Sequence, residues 1–186
     1  MEGPIFLTTF EAVMKLSMRL RKVILAGALM FSGGLAFAQK APELLPYQKH
    51  PTLPAFYILL QDSSTIFNTY YIEEGRPTVL MFFSPDCEHC QQFTKGLIEH
   101  MDSLKEVQFF LFTPMSLAML RPFAEKMKLK NYKNMMVGKD YQFFFPQFYG
   151  AKYVPYIAVY DRQKKFVKMF EGNVKIEELM KVMRNL

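Results

Sequence analysis

The 186-residue chain contains only two cysteines, Cys87 and Cys90. Two cysteines three positions apart cannot tie distant segments together, so the sequence excludes a disulfide framework and gives the pair a local role. The chain also lacks long runs of one residue type, and 51% of its residues are hydrophobic, which argues against a disordered or fibrous protein. A chain of this length buries enough surface to fold as one domain without a metal or a disulfide.

The chain has neither a glycine-rich phosphate loop nor a recognisable nucleic-acid-binding motif, although its formal net charge is +6. Many of its lysines gather in two groups, one at residues 126–133 and one at residues 164–168. We interpret both groups as solvated surface, and we expect no nucleic-acid partner.

The N-terminal region has the pattern of a signal peptide. Four positive charges at residues 15–22 precede an apolar run at residues 23–38, which ends in Ala-Phe-Ala. We predict cleavage after Ala38 and an over-long start, since Met14 or Met18 would begin a more ordinary signal. The run is shorter than the roughly 20 residues that cross a bilayer, so we expect membrane attachment only if the segment stays uncleaved. The predicted location is periplasmic or otherwise extracytoplasmic.

After the predicted signal, residues 1–38, the chain divides into a proline-rich lead-in, residues 39–53, and one domain, residues 54–186. Hydrophobic patterning predicts strands at 56–60, from residue 65, and at 78–83, 107–112, 156–160 and 166–170, and helices at 87–104, from Arg121, and at 176–183. A strand, a helix and a strand in succession imply parallel pairing.

The two cysteines open the first long predicted helix. At that position Cys87 faces unpaired backbone N–H groups and the positive end of the helix dipole, which favour thiolate over thiol, so it is the candidate nucleophile. Cys90 lies one turn deeper on the same face, so it can attack a mixed disulfide at Cys87 and release the product. A protonated His89 would stabilise the thiolate, whereas Glu88 and Asp86 act in the opposite direction.

Other roles for the pair have weaker support. A structural disulfide closing so small a loop would gain only roughly 2 kcal/mol. A structural zinc site needs four ligands, and besides the two thiols the chain offers only His50, His89 and His100. Covalent haem attachment requires a histidine where this chain has Gln91. We therefore expect no metal and no cofactor.

The order of the predicted elements and two sequence stretches resemble a known family. The stretches are PTVLMFFSPDCEHC at residues 77–90 and YGAKYVPYIAVYD at residues 149–161. The chain resembles the TlpA/ResA-like branch of the thioredoxin fold over residues 54–184. The shared order is a strand, Cys-x-x-Cys at a helix start, a parallel strand, and then Val-Pro before a hairpin and a helix. The resemblance implies an α/β protein, a thioredoxin-like three-layer α/β/α sandwich with a central mixed sheet.

The same resemblance implies a function. Members are exported protein-disulfide oxidoreductases, so we expect an enzyme that exchanges its Cys87–Cys90 dithiol or disulfide with protein thiols and disulfides and with a redox partner protein. The resemblance also implies that Pro155 is cis and packs against the disulfide. The backbone of Val154 would then hydrogen-bond an extended substrate segment as an added strand.

The chain departs from the family at positions that bear on mechanism. Asp86 stands where thioredoxins often have tryptophan, and Met81 replaces a buried acid that many members carry. The proton acceptor for the resolving step is therefore open, with Glu88, Asp86 or water as candidates. The Glu-His pair between the cysteines leaves both the reductase and the oxidase direction open.

Two alternative functions also stay open. One is a copper-handling carrier of the same fold, since a histidine lies between two thiols and ten methionines follow residue 38. The spacing of the cysteines counts against this alternative, because related copper-delivery proteins tend to use a longer gap. The other is a binding module without redox activity, for which an intact cysteine pair at a helix start is poor support.

An aromatic-rich stretch, residues 141–149, precedes the Val-Pro motif. Because large aromatic side chains dominate interior burial, we interpret this stretch as part of the core. The alternative is an apolar groove for clients near Cys87.

Overall fold

The computed structural model describes residues 43–186, so the predicted signal segment and the start of the lead-in lie outside the described residues. No helix within residues 43–186 is long and apolar enough to cross a membrane. The strands are β1 Tyr57–Leu60, β2 Ile66–Asn68, β3 Thr78–Phe82, β4 Gln108–Thr113, β5 Met135–Lys139, β6 Tyr156–Tyr160 and β7 Phe166–Glu171. The helices are α1 Pro46–Lys49, α2 Glu88–Glu99, α3 Leu117–Lys126, α4 Phe144–Tyr149 and α5 Ile176–Met183, with short 3-10 helices at Thr69–Tyr71, Met101–Leu104 and Leu129–Asn131.

The strands form one mixed sheet in the order β2-β1-β5-β4-β3-β6-β7. Strands β3, β4 and β5 are parallel to one another, whereas the β1–β2, β1–β5, β3–β6 and β6–β7 pairs are antiparallel. Strands β3, β4 and β6 are buried along their whole length. Burial on both faces explains why their sequences are nearly continuous apolar runs rather than alternating ones.

The two faces of the sheet carry separate hydrophobic cores, because side chains alternate along each strand. The cysteine-side core, under α2, α3 and α5, includes Val79, Met81, Phe83, Cys90, Phe93, Leu97, Phe109, Leu111, Leu120, Phe123, Val137, Ile157, Val159 and Leu179. The aromatic core, on the other face with α1 and α4, includes Phe56, Ile58, Leu80, Phe82, Phe110, Phe112, Phe145, Tyr149, Tyr156, Ala158 and Tyr160. Helices cover both faces, so the predicted three-layer α/β/α sandwich is confirmed.

Strand β5 is absent from the sequence prediction. Methionine and glycine are weak strand signals, and they make up three of its five residues. The strand forms because it pairs with β4 along its whole length and with β1 at its end. A Cβ at Gly138 would lie 2.9 Å from the Leu59 carbonyl oxygen, so the glycine that hides the strand in the sequence is required for the approach of β1.

Helix α2 begins where predicted and ends earlier. His100 leaves the helical conformation (φ −104°, ψ 11°), and residues 101–104 continue as a 3-10 turn instead of the predicted helix. Its ring Nδ1 lies 3.0 Å from the Gly96 carbonyl oxygen, which also accepts the backbone N–H of His100. Glycine costs a helix about 1 kcal/mol relative to alanine. Here a Cβ at Gly96 would lie 3.0 Å from Cβ of Ile176, so the glycine permits close packing of α5 on α2.

The predicted start of the next helix at Arg121 is wrong. Helix α3 begins at Leu117, and Pro122 lies inside it. A proline at this position removes one backbone hydrogen bond of the helix. The helix nevertheless buries Leu120 and Phe123 in the cysteine-side core, and this packing outweighs the missing bond.

The aromatic stretch contains helix α4, which the sequence analysis did not predict. In the sequence Pro146 argues against a helix. In the structure it lies in the first turn, where no backbone N–H is needed. The buried carboxylate of Asp140 accepts the N–H groups of Phe144 at 3.0 Å and Phe145 at 2.9 Å, which caps the helix. Phe145 and Tyr149 are buried in the aromatic core, and Phe144 and Phe148 pack against it partly buried, so the interpretation as core is confirmed for these four side chains. It is wrong for Tyr141 and Phe143, which lie before the helix and are exposed.

Candidate active site

Cys87 lies at the boundary between the loop that follows β3 and the first turn of α2. It is the N-cap of the helix, and its Sγ accepts the backbone N–H of Cys90 at 3.4 Å. Its own N–H donates to the Ser84 carbonyl oxygen at 3.2 Å, which fixes the turn before the helix. Cys87 thus follows the central strand β3 and lies at the sheet edge formed by the carboxyl ends of β3, β4 and β5.

The two sulfur-bearing side chains differ in exposure. Cys87 is half-buried, whereas Cys90 is 0% exposed and packs among residues of the cysteine-side core. Burial raises the pKa of the Cys90 thiol well above its ordinary value, and the hydrogen bond with Cys87 raises this pKa further. An incoming disulfide can therefore reach Cys87 from solvent, while Cys90 stays protonated behind it.

The Val154–Pro155 segment faces Cys87 from the start of β6. Its peptide bond is cis, as predicted, and Pro155 is buried. The Cys87 thiol donates to the Val154 carbonyl oxygen, with a sulfur–oxygen distance of 3.7 Å. The N–H of Val154 makes no hydrogen bond to any other residue of the part of the chain that the structure describes. The N–H of Val154 is thus free to pair with an extended segment next to the sulfur, whereas its carbonyl oxygen is held by the Cys87 thiol.

The charged residues next to the cysteines all lie at the solvent side of the site. Asp86 accepts a hydrogen bond from the Ser84 hydroxyl, and Glu88 accepts one from Nε2 of Gln92 at 3.0 Å. Asp86, Glu88 and His89 are exposed, so water and salt screen their charges. All three residues are neighbours of Cys87 in the sequence, and the structure shows that their side chains are solvated.

The position of the missing acid is occupied by an apolar side chain. Met81 is fully buried in the same core as Cys90. Among the described residues, Asp140 is the one buried carboxylate, and it caps α4. No buried carboxylate within residues 43–186 is therefore available to take the proton of Cys90.

A mostly apolar depression of about 340 Å³ adjoins the Cys87 loop, and it is lined by Pro85, Asp86, Gln91, Met119, Pro122, Phe123 and Lys126. The amide of Gln91 donates to the Pro85 carbonyl oxygen at 2.9 Å and accepts from Nζ of Lys126 at 3.3 Å. This pair of bonds ties the loop to α3. In the sequence Gln91 bears only on haem attachment, because nothing in the sequence pattern indicates this contact.

Within residues 43–186 the side chains of His, Cys, Asp and Glu form no cluster of three that could hold a metal ion.

The sequence of this domain matches a known family. Residues 69–186, which are more than half of the chain, match the family model of a thioredoxin-like domain. The chain therefore belongs to the thioredoxin-like domain family. No curated protein sequence matches it.

Solved structures share the fold at low sequence identity. A secreted disulfide oxidoreductase of Mycobacterium tuberculosis, homologous to E. coli DsbE, is 18% identical with a TM-score of 0.60, over 70% of this chain and 96% of that chain. DsbF of the same organism is 21% identical with a TM-score of 0.60, over 70% and 93%. The exposed lipoprotein thioredoxin Etrx1 of Streptococcus pneumoniae is 18% identical with a TM-score of 0.56, over 72% and 100%. These similarities establish the thioredoxin-like fold.

Proposed function

We propose that the protein is an extracytoplasmic thiol–disulfide oxidoreductase of the TlpA/ResA-like kind, in which Cys87 is the nucleophile and Cys90 the resolving thiol. One observation carries the proposal. A half-buried sulfur at a helix N-terminus has a fully buried sulfur one turn behind it and the cis Val154–Pro155 segment in front of it. This arrangement suits two successive exchange reactions at one place.

In the reductase direction the Cys87 thiolate attacks a client disulfide. A sulfur–sulfur bond forms between Cys87 and the client, and the departing client thiolate takes a proton from water. Cys90 then gives its proton to water and attacks Sγ of Cys87, which forms the Cys87–Cys90 disulfide and releases the second client thiolate. Two electrons pass from the protein to the client. The oxidase direction runs the same steps backwards, and the reduction potential of the pair determines which direction dominates.

The N–H of Val154, which has no partner within residues 43–186, supports a protein client rather than a small thiol. An extended client segment would pair with this N–H and with the Val154 carbonyl oxygen, which loses its bond to Cys87 when the thiolate forms, and the added strand brings the client sulfur to Cys87. The exposed ring of Tyr153 and the apolar depression beside Pro85 add surface on either side of the cysteine. An unfolded or flexible chain with an accessible cysteine fits this surface.

The proposed location outside the cytoplasm has three supports. The apolar run at residues 23–38 with its preceding positive charges has the pattern of an export signal. The structural neighbours include a secreted oxidoreductase and an exposed lipoprotein. Disulfide exchange also has more substrates in an oxidising compartment.

Trapping tests the roles of the two thiols. Cys90→Ser leaves the nucleophile without its resolving partner, so we expect mixed disulfides on Cys87 that reductant releases, and almost no turnover in insulin reduction. Cys87→Ser is the matched control and should trap nothing. The proposal is wrong if Cys90→Ser traps no client while Cys87 alkylates no faster than free cysteine at neutral pH.

A further inference from the structure

The loop that leads to the client-binding segment has an unusual attachment. The backbone N–H groups of Lys152 and Tyr153 both donate to Oε1 of Glu171, at 2.5 Å and 2.7 Å. Glu171 is the last residue of β7 and lies opposite Tyr156 in the β6–β7 register. A carboxylate on a regular strand thus holds two consecutive residues of an irregular loop.

Other contacts hold this part of the loop weakly. The side chains of Lys152 and Tyr153 are exposed, the latter at 69%, so burial does not fix the loop there. Their backbone N–H groups have no partner in a strand ladder. Hydrogen bonds to an ionised acceptor are stronger than neutral ones, so Glu171 supplies the main constraint at these two residues.

The constraint is transmitted to the reacting sulfur over a short path. Val154 directly follows Tyr153, and its carbonyl oxygen lies 3.7 Å from Sγ of Cys87. On the other side, the N–H of Gly172 donates to the Pro155 carbonyl oxygen at 2.9 Å. The end of β7 therefore holds the segment on both sides of Val154 and sets where its main chain lies relative to Cys87.

We propose that Glu171 is a positioning residue for disulfide exchange, whose carboxylate holds the Val154 main chain at the distance from Cys87 that an added client strand requires. This inference rests on the proposed function. It gives Glu171, at the end of β7, a role in client binding at Val154, which precedes β6. Glu171 does not touch the reacting sulfurs, so its effect is on binding of peptide clients. Reaction of Cys87 with a small reagent needs no added strand and is independent of it.

The test compares three variants. Glu171→Leu keeps bulk and strand propensity but removes the acceptor, whereas Glu171→Gln keeps an acceptor oxygen without charge. Glu177→Leu, at an exposed glutamate of α5, is the matched control. We measure KM and kcat for reduction of a disulfide-bonded peptide, the rate of Cys87 alkylation by iodoacetamide, and hydrogen exchange of the Lys152 and Tyr153 amides.

For Glu171→Leu we expect KM to rise about tenfold, as the loss of hydrogen bonds to a charged acceptor implies, with kcat and the alkylation rate within about twofold of wild type. Protection of the Lys152 and Tyr153 amides should fall about tenfold. Glu171→Gln should restore most of the KM and the protection, and Glu177→Leu should change neither. If Glu171→Leu does not fold, Glu171→Ala, which adds no bulk, replaces it in every measurement.

The inference is overturned if Glu171→Leu binds the peptide as well as wild type does, if its alkylation rate falls in parallel with peptide reduction, or if Glu171→Gln behaves like Glu171→Leu. Failure of the proposed function has a different signature. In that case the wild-type protein itself exchanges no peptide disulfide, which overturns both proposals, whereas an active wild type with an unaffected leucine variant overturns this one alone.

Discussion

The two faces of the sheet are built from different side chains. The cysteine-side core combines aliphatic, thioether and phenylalanine side chains around Cys90. The aromatic core has three buried tyrosines, Tyr149, Tyr156 and Tyr160, among stacked phenylalanines, and neither cysteine belongs to it. The side chain of Val154 packs against both cores, and it does so at the sheet edge where the cysteines lie.

This difference separates chemistry from stability. One face holds a single thiol protonated by burial, without a buried carboxylate in its core among the described residues. The other face contributes a large buried aromatic area, which stabilises the fold through packing. Substitutions in the aromatic core should therefore change the free energy of unfolding without changing the reactivity of Cys87, and the following predictions test this separation.

High pH should destabilise the fold in two steps, first through the thiol of one face and then through the tyrosines of the other. Burial raises the pKa of Cys90 and of the three tyrosines above their ordinary values of 9.0 and 10.0. The unfolded chain therefore loses these protons first, so stability is complete below pH 9 and falls as pH rises. The reduced protein should lose up to about 1.4 kcal/mol per pH unit above pH 9 through Cys90, and more per unit above pH 10, where the tyrosines contribute as well.

Urea unfolding of the reduced protein at pH 8 to 11 measures this decline. Cys90→Ala should remove the loss between pH 9 and 10, and Tyr160→Phe should reduce the loss above pH 10. Tyr70→Phe, at an exposed tyrosine, is the control. An unchanged slope between pH 9 and 10 in Cys90→Ala would show that folding does not raise the pKa of Cys90.

Phe145→Ala should be the most destabilising single substitution in the aromatic core. The ring is fully buried and packs against Phe82, Phe112 and Tyr149, with centroid distances of 5.3, 5.1 and 4.2 Å. Its removal should cost about 3–5 kcal/mol of unfolding free energy.

In Phe145→Ala the rate of Cys87 alkylation below the unfolding transition should stay within about twofold of wild type, because the substitution removes no contact to either cysteine sulfur. Phe143→Ala provides a control in the same stretch, because this side chain is 51% exposed. A large change in alkylation rate for Phe145→Ala would mean that the aromatic core also sets the geometry of the thiols.

The sequence predicted the part of the site that local signals encode. A buried apolar run, then Cys-x-x-Cys, then apolar residues at helical spacing were enough to place Cys87 at the start of α2. Strand β5 and helix α4 were missed because Gly138 and Pro146 weaken the local pattern, while pairing with β1 and capping by Asp140 compensate in three dimensions.

The cis Val154–Pro155 bond came from the family resemblance rather than from any local pattern. The contact of Glu171 had no signal at all, since its partners are backbone N–H groups 18 and 19 residues earlier in the chain. A side chain that binds backbone leaves no trace in the residue types of its partners. Such contacts are found only when the fold is known.

The smallest predicted effect compares two tyrosines of the aromatic core. The hydroxyls of Tyr149 and Tyr160 hydrogen-bond each other, whereas the buried hydroxyl of Tyr156 has no partner within residues 43–186. Tyr160→Phe leaves the Tyr149 hydroxyl unsatisfied and should cost about 1–2 kcal/mol, whereas Tyr156→Phe removes a group that already lacks a bond and should be neutral or slightly stabilising. Urea unfolding at pH 7 measures both, with Tyr57→Phe on the exposed side of β1 as the control. Equal costs for the two variants would mean that the Tyr156 hydroxyl has a hydrogen-bond partner in solution, and a buried water is the simplest one. Every buried tyrosine hydroxyl of the aromatic core would then be hydrogen-bonded.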